Sequence, residues 1–445
     1  MKSLANLHGM EYNASIALCA GRKAQGECKC KNCCNGAAYI IEERRCKMRI
    51  SKRCQNIKGS VTLEIDAKAK EMKAQGLDVV GFGAGEPDFD TPEHIRQAAK
   101  EALDKGMTRY TPASGTMDLK KAICEKFLRD NGLHYEPSQI VVSNGAKHSL
   151  FNSFQALLDE GDEVIVPGPF WVSYPELVRM AGGVPVVVQA REENSFKLLP
   201  CEIEAAVTGR TRAIILNSPN NPNGFVYTRQ ELQDIGRLAV KHDFYIISDE
   251  IYEYLVYDGA EHVSIASLGD EIKARTITIN GMSKAYAMTG WRIGYTASPV
   301  EVAKAMTNYQ SHSTSNPNSI AQYAALAALS GPDTQLKSMV AEFDRRRRRI
   351  VELINGIPGL SCIPPKGAFY VMMNISGLFG KKLNGEAIVD SMSFTRLLLE
   401  DSKVAVVPGI GFGADSFVRL SYATNMANIE KGLSRIADFV SRLTD

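Results

Sequence analysis

The sequence predicts an α/β protein in which a mostly parallel sheet is covered by helices on both faces, with a second, smaller α+β domain attached. Three observations carry that prediction. Short β-rich runs bounded by turn residues alternate with segments of helical spacing from about residue 49 to residue 280. The final third changes order, to a long helix, several short strands and a closing helix. The chain has 445 residues, more than one simple domain around a single core requires.

Residues 64–75 have the pattern of an amphipathic helix and stop at Gly76, which leaves a helix at little steric cost. Residues 77–82 form a strand-like run, and 92–105, 117–131 and 146–158 return to helical spacing. The runs 163–166, 184–188, 212–217, 244–248 and 275–280 have strand composition. A helix over 229–242 separates two of them. The last third holds a helix near 333–355, strands at 369–373, 404–407 and 417–421, and a helix from about 428. The five arginines at 345–349 spread round all sides of their helix, which predicts a solvated surface with some stems laid along the protein.

Lys and Arg number 52 against 50 Asp and Glu, a net charge of +2, so no basic field points to nucleic acid. The longest apolar runs, such as 213–216 and 404–407, are strand-sized, well short of the roughly 20 residues of a membrane span. Six of the ten cysteines (Cys19, Cys28, Cys30, Cys33, Cys34, Cys46) precede Met48. That distribution argues against a disulfide framework in the main body and for a cytoplasmic protein, as does the lack of an export signal. Residues 1–47 carry a local charge of +4 and no periodicity. They are expected to be a disordered extension, or not native, with translation starting at Met48. Cys30 and Cys33 form one C-x2-C pair without a clean second pair, so no metal is expected there.

Three motifs carry chemistry. The cluster Gly81, Gly83, Gly85 is followed by Glu86 and Pro87, which breaks a dinucleotide fingerprint but leaves a glycine turn able to approach a ligand. Lys284 lies in a stretch of Gly, Ser and Ala directly after the run 275–280, where ligands bind in open α/β sheets, and Arg292 follows as a fixed cationic fork suited to phosphate. Asp249 ends the run 244–248, and the 35 residues to Lys284 fit one strand–helix–strand unit. A lysine and an aspartate at one sheet edge are what pyridoxal phosphate needs: an amine to hold the aldehyde as a Schiff base and an anion to keep the pyridine nitrogen protonated. Tyr252 is within reach of the ring oxygen, and the turn Asn217–Gly224 presents the Asn221 amide to a ring substituent. Taken singly, each has a plain structural reading: Asp249 as a helix N-cap, Lys284 as a surface lysine, the Asn221 stretch as a turn.

Together, S-K-A-x-A-M-T-G-W-R, S-P-N-N-P-x-G, S-D-E-I-Y, G-E-P-D-F-D-T-P and V-R-L-S-Y-A-T resemble the class I/II aminotransferase family over about residues 49–443. The resemblance is greatest to the bacterial and plant subgroup that includes aspartate and aspartate/glutamate–prephenate aminotransferases. It implies a fold-type I pyridoxal-phosphate transferase with a seven-stranded, mostly parallel sheet. The large domain would span 94–327, and 48–93 with 328–445 would form the small domain. It implies a transaminase moving the amino group of aspartate or glutamate to a 2-oxo acid in ping-pong fashion. Lys284 would be the Schiff-base lysine and proton shuttle, Asp249 the partner of the ring nitrogen, and Tyr252 and Asn221 contacts of the ring oxygen. Trp171 would stack on the ring. The turn Gly145, Ala146, Lys147 and Arg292 would hold the phosphate, and Tyr110 would reach the phosphate of a neighbouring subunit, which implies a homodimer. Arg419 would grip the substrate α-carboxylate, with Gly85 adding a backbone donor. Lys58, with Thr62 nearby, matches the subgroup's reader of the distal carboxylate, and Lys147 is a second candidate. The chain departs from the pattern at Gly59, where Pro is usual, at Asn223 for Thr, and at Gly281 for a phosphate-binding Ser.

The main alternative is a transaminase for aromatic or neutral amino acids, or a C–S lyase on the same scaffold, neither needing a cation for a distal carboxylate. A non-catalytic regulator would need about 60 residues of winged-helix sequence upstream, and residues 1–47 offer neither its helices nor its basic face.

Overall fold

A computed structural model of the chain describes residues 50–445 apart from positions 56, 58 and 60. Residues 52–445 form one unit by their internal contacts. Its centre is a seven-stranded sheet in the order Ile140–Ser143, Gly294–Ala297, Thr276–Gly281, Tyr245–Asp249, Thr211–Asn217, Glu163–Gly168, Val184–Gln189. Gly294–Ala297 is antiparallel to both neighbours, and the remaining pairs are parallel. The α/β class with a mostly parallel sheet is therefore as the sequence predicts.

Alternation along the strands sends side chains to opposite faces, and both faces are buried. Ala213, Ile215 and Ile247 pack with Leu150, Phe154 and Met306 on one side. Ile214, Leu216 and Ile246 pack with Leu232, Ile235 and Leu238 on the other. The helices Ala146–Leu157 and Val300–Ser313 thus cover one face, and Arg229–His242 the other. Thr228 begins the last of these with a capping box, accepting from the Glu231 N–H while Glu231 accepts from Thr228 N–H. A separate three-stranded antiparallel sheet, Val407–Pro408, Phe417–Ser421 and Tyr370–Asn374, follows the 22-residue helix Thr334–Asn355.

Several expectations need correction. The strands Ile140–Ser143 and Gly294–Ala297 were not anticipated; each has four residues and sits beside glycine-marked motifs that read as loops. The run 404–407 is split between two sheets, as Val404–Ala405 and Val407–Pro408. The connection from Asp249 to the next strand holds only the short helical turns Ile265–Leu268 and Asp270–Lys273, not a full helix. Two of the five arginines at 345–349 are buried. Arg346 pairs with Asp88 at 2.7 Å and Arg347 with Asp258 at 2.8 Å, carboxylates that arrive from distant parts of the chain. Among the described residues no helix is long and apolar enough to cross a membrane, and Cys54, Cys124, Cys201 and Cys362 are free thiols.

Candidate active site

The strands Thr211–Asn217, Tyr245–Asp249 and Thr276–Gly281 end side by side, with Asn217 registered against Asp249 and Asp249 against Ile279. Carboxyl ends of parallel strands leave a crevice where connections diverge. A cavity of about 520 Å³ opens there, and its walls include Asp249, Lys284, Tyr252, Asn221, Arg292 and Arg419. Lysine and aspartate from separate motifs therefore face one space.

Asp249 is buried. Its carboxylate accepts the Tyr174 hydroxyl at 2.8 Å and the Ile251 N–H at 3.3 Å. Burial pushes its carboxyl up to about 6, against the lowering effect of those two donors. The Lys284 amine donates to the Gly85 carbonyl. Burial brings it down to about 8, with Glu86 opposing and Arg419 and Arg292 reinforcing the shift. Gly85 thus meets the lysine through its carbonyl oxygen.

Arg419 is held from three sides. Its guanidinium donates to Asn221 Oδ1 at 2.9 Å and to the Gly83 carbonyl at 3.0 Å, and it lies 4.4 Å from the centre of the Tyr370 ring. Its Nε has no hydrogen-bond partner among the described residues. The Tyr370 hydroxyl is 3.1 Å from that of Tyr252. Burial drives the Tyr252 phenol well above its ordinary value, so it stays neutral.

A third corner is cationic. The helix Ala146–Leu157 begins at Gly145, whose φ of 87° and lack of a side chain leave the N-terminus uncapped. A Cβ there would stand 2.3 Å from Arg292 Nη2. Arg292 itself has a positive φ of 58° and is fixed by donation to the Thr289 carbonyl at 2.7 Å. Open helix N–H groups next to a guanidinium suit a phosphate. Lys147, one residue into the helix, places its ammonium 4.7 Å from the Trp171 ring centre. Burial, then Arg292, lowers its amine.

Gly85, Ala146, Lys147, Trp171, Asn221, Asp249, Tyr252, Lys284, Arg292 and Arg419 are thus gathered round one cavity, with Gly145 at its edge. Tyr110 is not among its walls; its side chain is 90% exposed. Lys58 lies outside the described residues, and Thr62 is placed in the helix Val61–Ala74 without a described side chain. Sequence reasoning missed Tyr174, Asn217 and Tyr370. Tyr174 stands three residues after Trp171, and Asn217 opens the turn Asn217–Gly224 and braces the site by donating to the Asp249 carbonyl at 2.9 Å and accepting the Asn221 N–H at 2.8 Å. Tyr370 lies on a strand of the other sheet, and no local pattern marks it.

The residues present fit pyridoxal phosphate. The cradle at Gly145 is open only because no Cβ fills it, Asp249 is a buried carboxylate with no cationic partner at hydrogen-bond distance among the described residues, and Lys284 holds an amine of lowered basicity in the same cavity. Fold and cavity together define an α/β enzyme that uses a phosphorylated aldehyde cofactor.

Comparison with known proteins narrows the class. The profile of aminotransferase class I and II matches residues 77–436. The chain is 52% identical to an aspartate aminotransferase of Geobacillus stearothermophilus, covering 88% of this chain and 99% of the relative. It is 50% identical to an aspartate/prephenate aminotransferase of Cereibacter sphaeroides, covering 87% and 98%. The crystal structure of the aspartate aminotransferase from Rhizobium meliloti superposes with a TM-score of 0.87 at 46% identity, covering 89% of this chain and all of that one. That of the Thermus thermophilus aspartate aminotransferase with maleate gives 0.83 at 47% identity, covering 88% and 99%. The chain belongs to the class I and II aminotransferase family, and it is a pyridoxal-phosphate-dependent enzyme.

Proposed function

We propose that this enzyme transfers the amino group of aspartate or glutamate to a 2-oxo acid, oxaloacetate or 2-oxoglutarate, with prephenate as a further acceptor. The observation that carries the acidic preference is Lys147, whose ammonium stands in the cavity wall 4.7 Å from the Trp171 ring centre. Arg419 takes the α-carboxylate, and Arg292 with the helix N–H groups takes the phosphate, so this ammonium is left to meet a second carboxylate on the substrate. The relatives named for aspartate and prephenate support the same reading.

Pyridoxal phosphate, when bound, supplies an aldehyde that condenses with amines and a ring that accepts the electrons released at the substrate Cα. The chain's own residues do the rest. The Gly145 turn, the N–H groups of Ala146 and Lys147, and Arg292 bind the phosphate. Asp249 would keep a proton on the ring nitrogen, with Tyr174 donating to its carboxylate and Asn217 to its backbone carbonyl. Tyr252 and Asn221 would donate to the ring oxygen, and Trp171 would cover the ring. Arg419 is immobilised before substrate arrives, so little freedom is lost when it grips the α-carboxylate and orients the Cα–H bond. Lys284 Nζ then takes that proton; an amine at about 8 is a competent base near neutral pH. Lys58, Thr62 and Lys147 read the distal carboxylate, and Gly85 contributes a backbone donor to the α-carboxylate. Residues 48–93 with 328–445 act as a small domain against a large domain of 94–327. The exposed Tyr110 reaches the phosphate of a second copy in a homodimer, and the free thiols support a cytoplasmic setting.

The test is spectral and kinetic. Single amino acids are added to the purified holoenzyme while its visible band is followed. Aspartate and glutamate are expected to bleach it, and phenylalanine or alanine to act far more slowly. Lys58→Ala combined with Lys147→Ala should raise the KM for aspartate; unchanged aspartate kinetics in that double variant would refute the acidic reading. Release of a thiol from cystathionine-type substrates would favour the lyase instead.

A further inference from the structure

The strand Tyr245–Asp249 has a second polar face. Side chains alternate along it, so Asp249 meets the cavity while Ser248 and the following Glu250 turn to the opposite side. Glu250 is buried, and its carboxylate accepts Ser248 Oγ at 2.8 Å, Ser264 Oγ at 2.8 Å and His262 Nε2 at 3.2 Å. Its N–H donates to the Ile279 carbonyl at 2.8 Å. Ser264 and His262 stand at the far end of the excursion that leaves the strand at Glu250 and carries Tyr252. Glu250 therefore ties that excursion to its own root.

Glu253, on the same excursion, accepts Lys126 Nζ at 2.6 Å and Asn131 Nδ2 at 3.2 Å. The Lys126 side chain is 1% exposed. Carboxylate oxygens of Glu250 and Glu253 and a ring nitrogen of His262 lie within 4.8 Å of one another. Two buried carboxylates beside one buried ammonium leave a net negative charge, which is costly away from water. A protonated His262 cancels it. Burial opposes that proton and so does Lys126, but the carboxylates of Glu250 and Glu253 outweigh them and the imidazole is raised above its ordinary value. Tyr135 and Tyr295, which also face Glu250, are kept neutral by burial, and Asp130 lies 3.9 Å from Lys126. Among the described residues, Glu250 is the one partner holding the ring, since His262 Nδ1 bonds to nothing.

We propose that Glu250 is a positioning residue, which fixes Asp249 and Tyr252 from behind the sheet as the anionic partner of a buried His262 imidazolium. The proposal rests on Asp249 and Tyr252 serving the chemistry. Its direct readout, however, is the protonation of His262, which needs no turnover. Glu250 acts through its neighbours and touches neither cofactor nor substrate.

The experiment follows the imidazole resonances of His262 in the holoenzyme across pH, assigned by His262→Gln. His262 should remain protonated above the roughly 6.5 of a free histidine and lose that elevation in Glu250→Gln. Because the folded-state value is raised, its stabilisation is complete below about 6.5 and disappears as pH rises through the folded value. The alkaline slope of the thermal midpoint should therefore flatten in His262→Gln. Glu250→Gln should lower kcat about tenfold with little change in KM and move its alkaline limb, since a small displacement of catalytic groups costs rate more than binding. Ser264→Ala, a milder cut at the same clasp, should do so to a smaller degree and serves if Glu250→Gln does not fold. A His262 that titrates at or below the ordinary value overturns the proposal, as does an unchanged pH profile in both clasp variants. One equivalent of divalent metal ion recovered with the purified chain, whose removal by chelator abolishes the alkaline slope, overturns it too. Lys284→Ala separates the two readings: if it still transaminates, the proposed function fails, whatever His262 does.

Discussion

A cavity of about 1070 Å³, larger than the one holding Lys284, lies between the helices Met117–Asn131 and Thr334–Asn355 and the segment 254–260. It too is lined by charged groups, but they neutralise one another. Arg129 donates to Asp130 at 2.7 Å, Lys337 pairs with Asp333 at 2.7 Å, and Asp258 and Asp344 both meet Arg347. The smaller cavity is different. Among the described residues its aspartate is held by a phenol rather than a cation and Arg419 keeps an unbonded Nε, and its lysine has a depressed basicity. Volume therefore does not mark the working site. Buried charge whose partners have yet to arrive does, because such groups cost stability and persist where a ligand completes them.

Substitutions can break that contrast. Lys284→Ala should reduce transamination by about 10⁴-fold or more, since in the proposed mechanism it removes both the amine that holds the cofactor and the base at Cα; single-turnover absorbance and steady-state rates measure it. Asp249→Asn should lower kcat by roughly 10²-fold to 10³-fold through loss of an electrostatic partner. The same variant should stabilise the cofactor-free protein. The Asp249 carboxyl is raised from 3.8 to about 6, so the protonated form is favoured on folding and stability declines as pH rises through about 6. An amide has no charge to bury, and near pH 8 the gain should be on the order of 3 kcal/mol by denaturant unfolding. Arg419→Lys loses planar two-point contact and should lower kcat/KM for aspartate about 30-fold. In the larger cavity, Lys337→Ala should leave kcat/KM within about twofold, because an exposed ion pair contributes little. A comparable loss there would end the distinction between the two cavities.

Much of the smaller cavity was legible because its groups are bound to motifs. Asp249 ends a strand, Lys284 follows one, and Asn221 sits in a turn rich in Pro and Asn, so local composition reports their positions. Tyr174 and Tyr370 were not legible as site residues. Each acts through a contact with a residue 75 or more positions away, Tyr174 with Asp249 and Tyr370 with Tyr252, and no local periodicity encodes that. Arg346 and Arg347 failed for the same reason in reverse. A run of five arginines reads as solvated until Asp88 and Asp258 are brought to it by the fold. The short strand Gly294–Ala297 was hidden because Gly and Thr dilute its strand character.

That reversed strand has a consequence of its own. An antiparallel neighbour needs no helical crossover, so the chain leaves Gly281 and returns at Gly294, directly opposite it. Lys284 and Arg292 are thus two points on a single tether of fixed length, clamped at both ends by the same ladder. Gly294 also lies so near Ala146 that a Cβ would stand 2.2 Å from its backbone nitrogen, which leaves no slack on the far side. An inserted residue between 281 and 294 would have no slack to absorb it and would alter the span between amine and guanidinium.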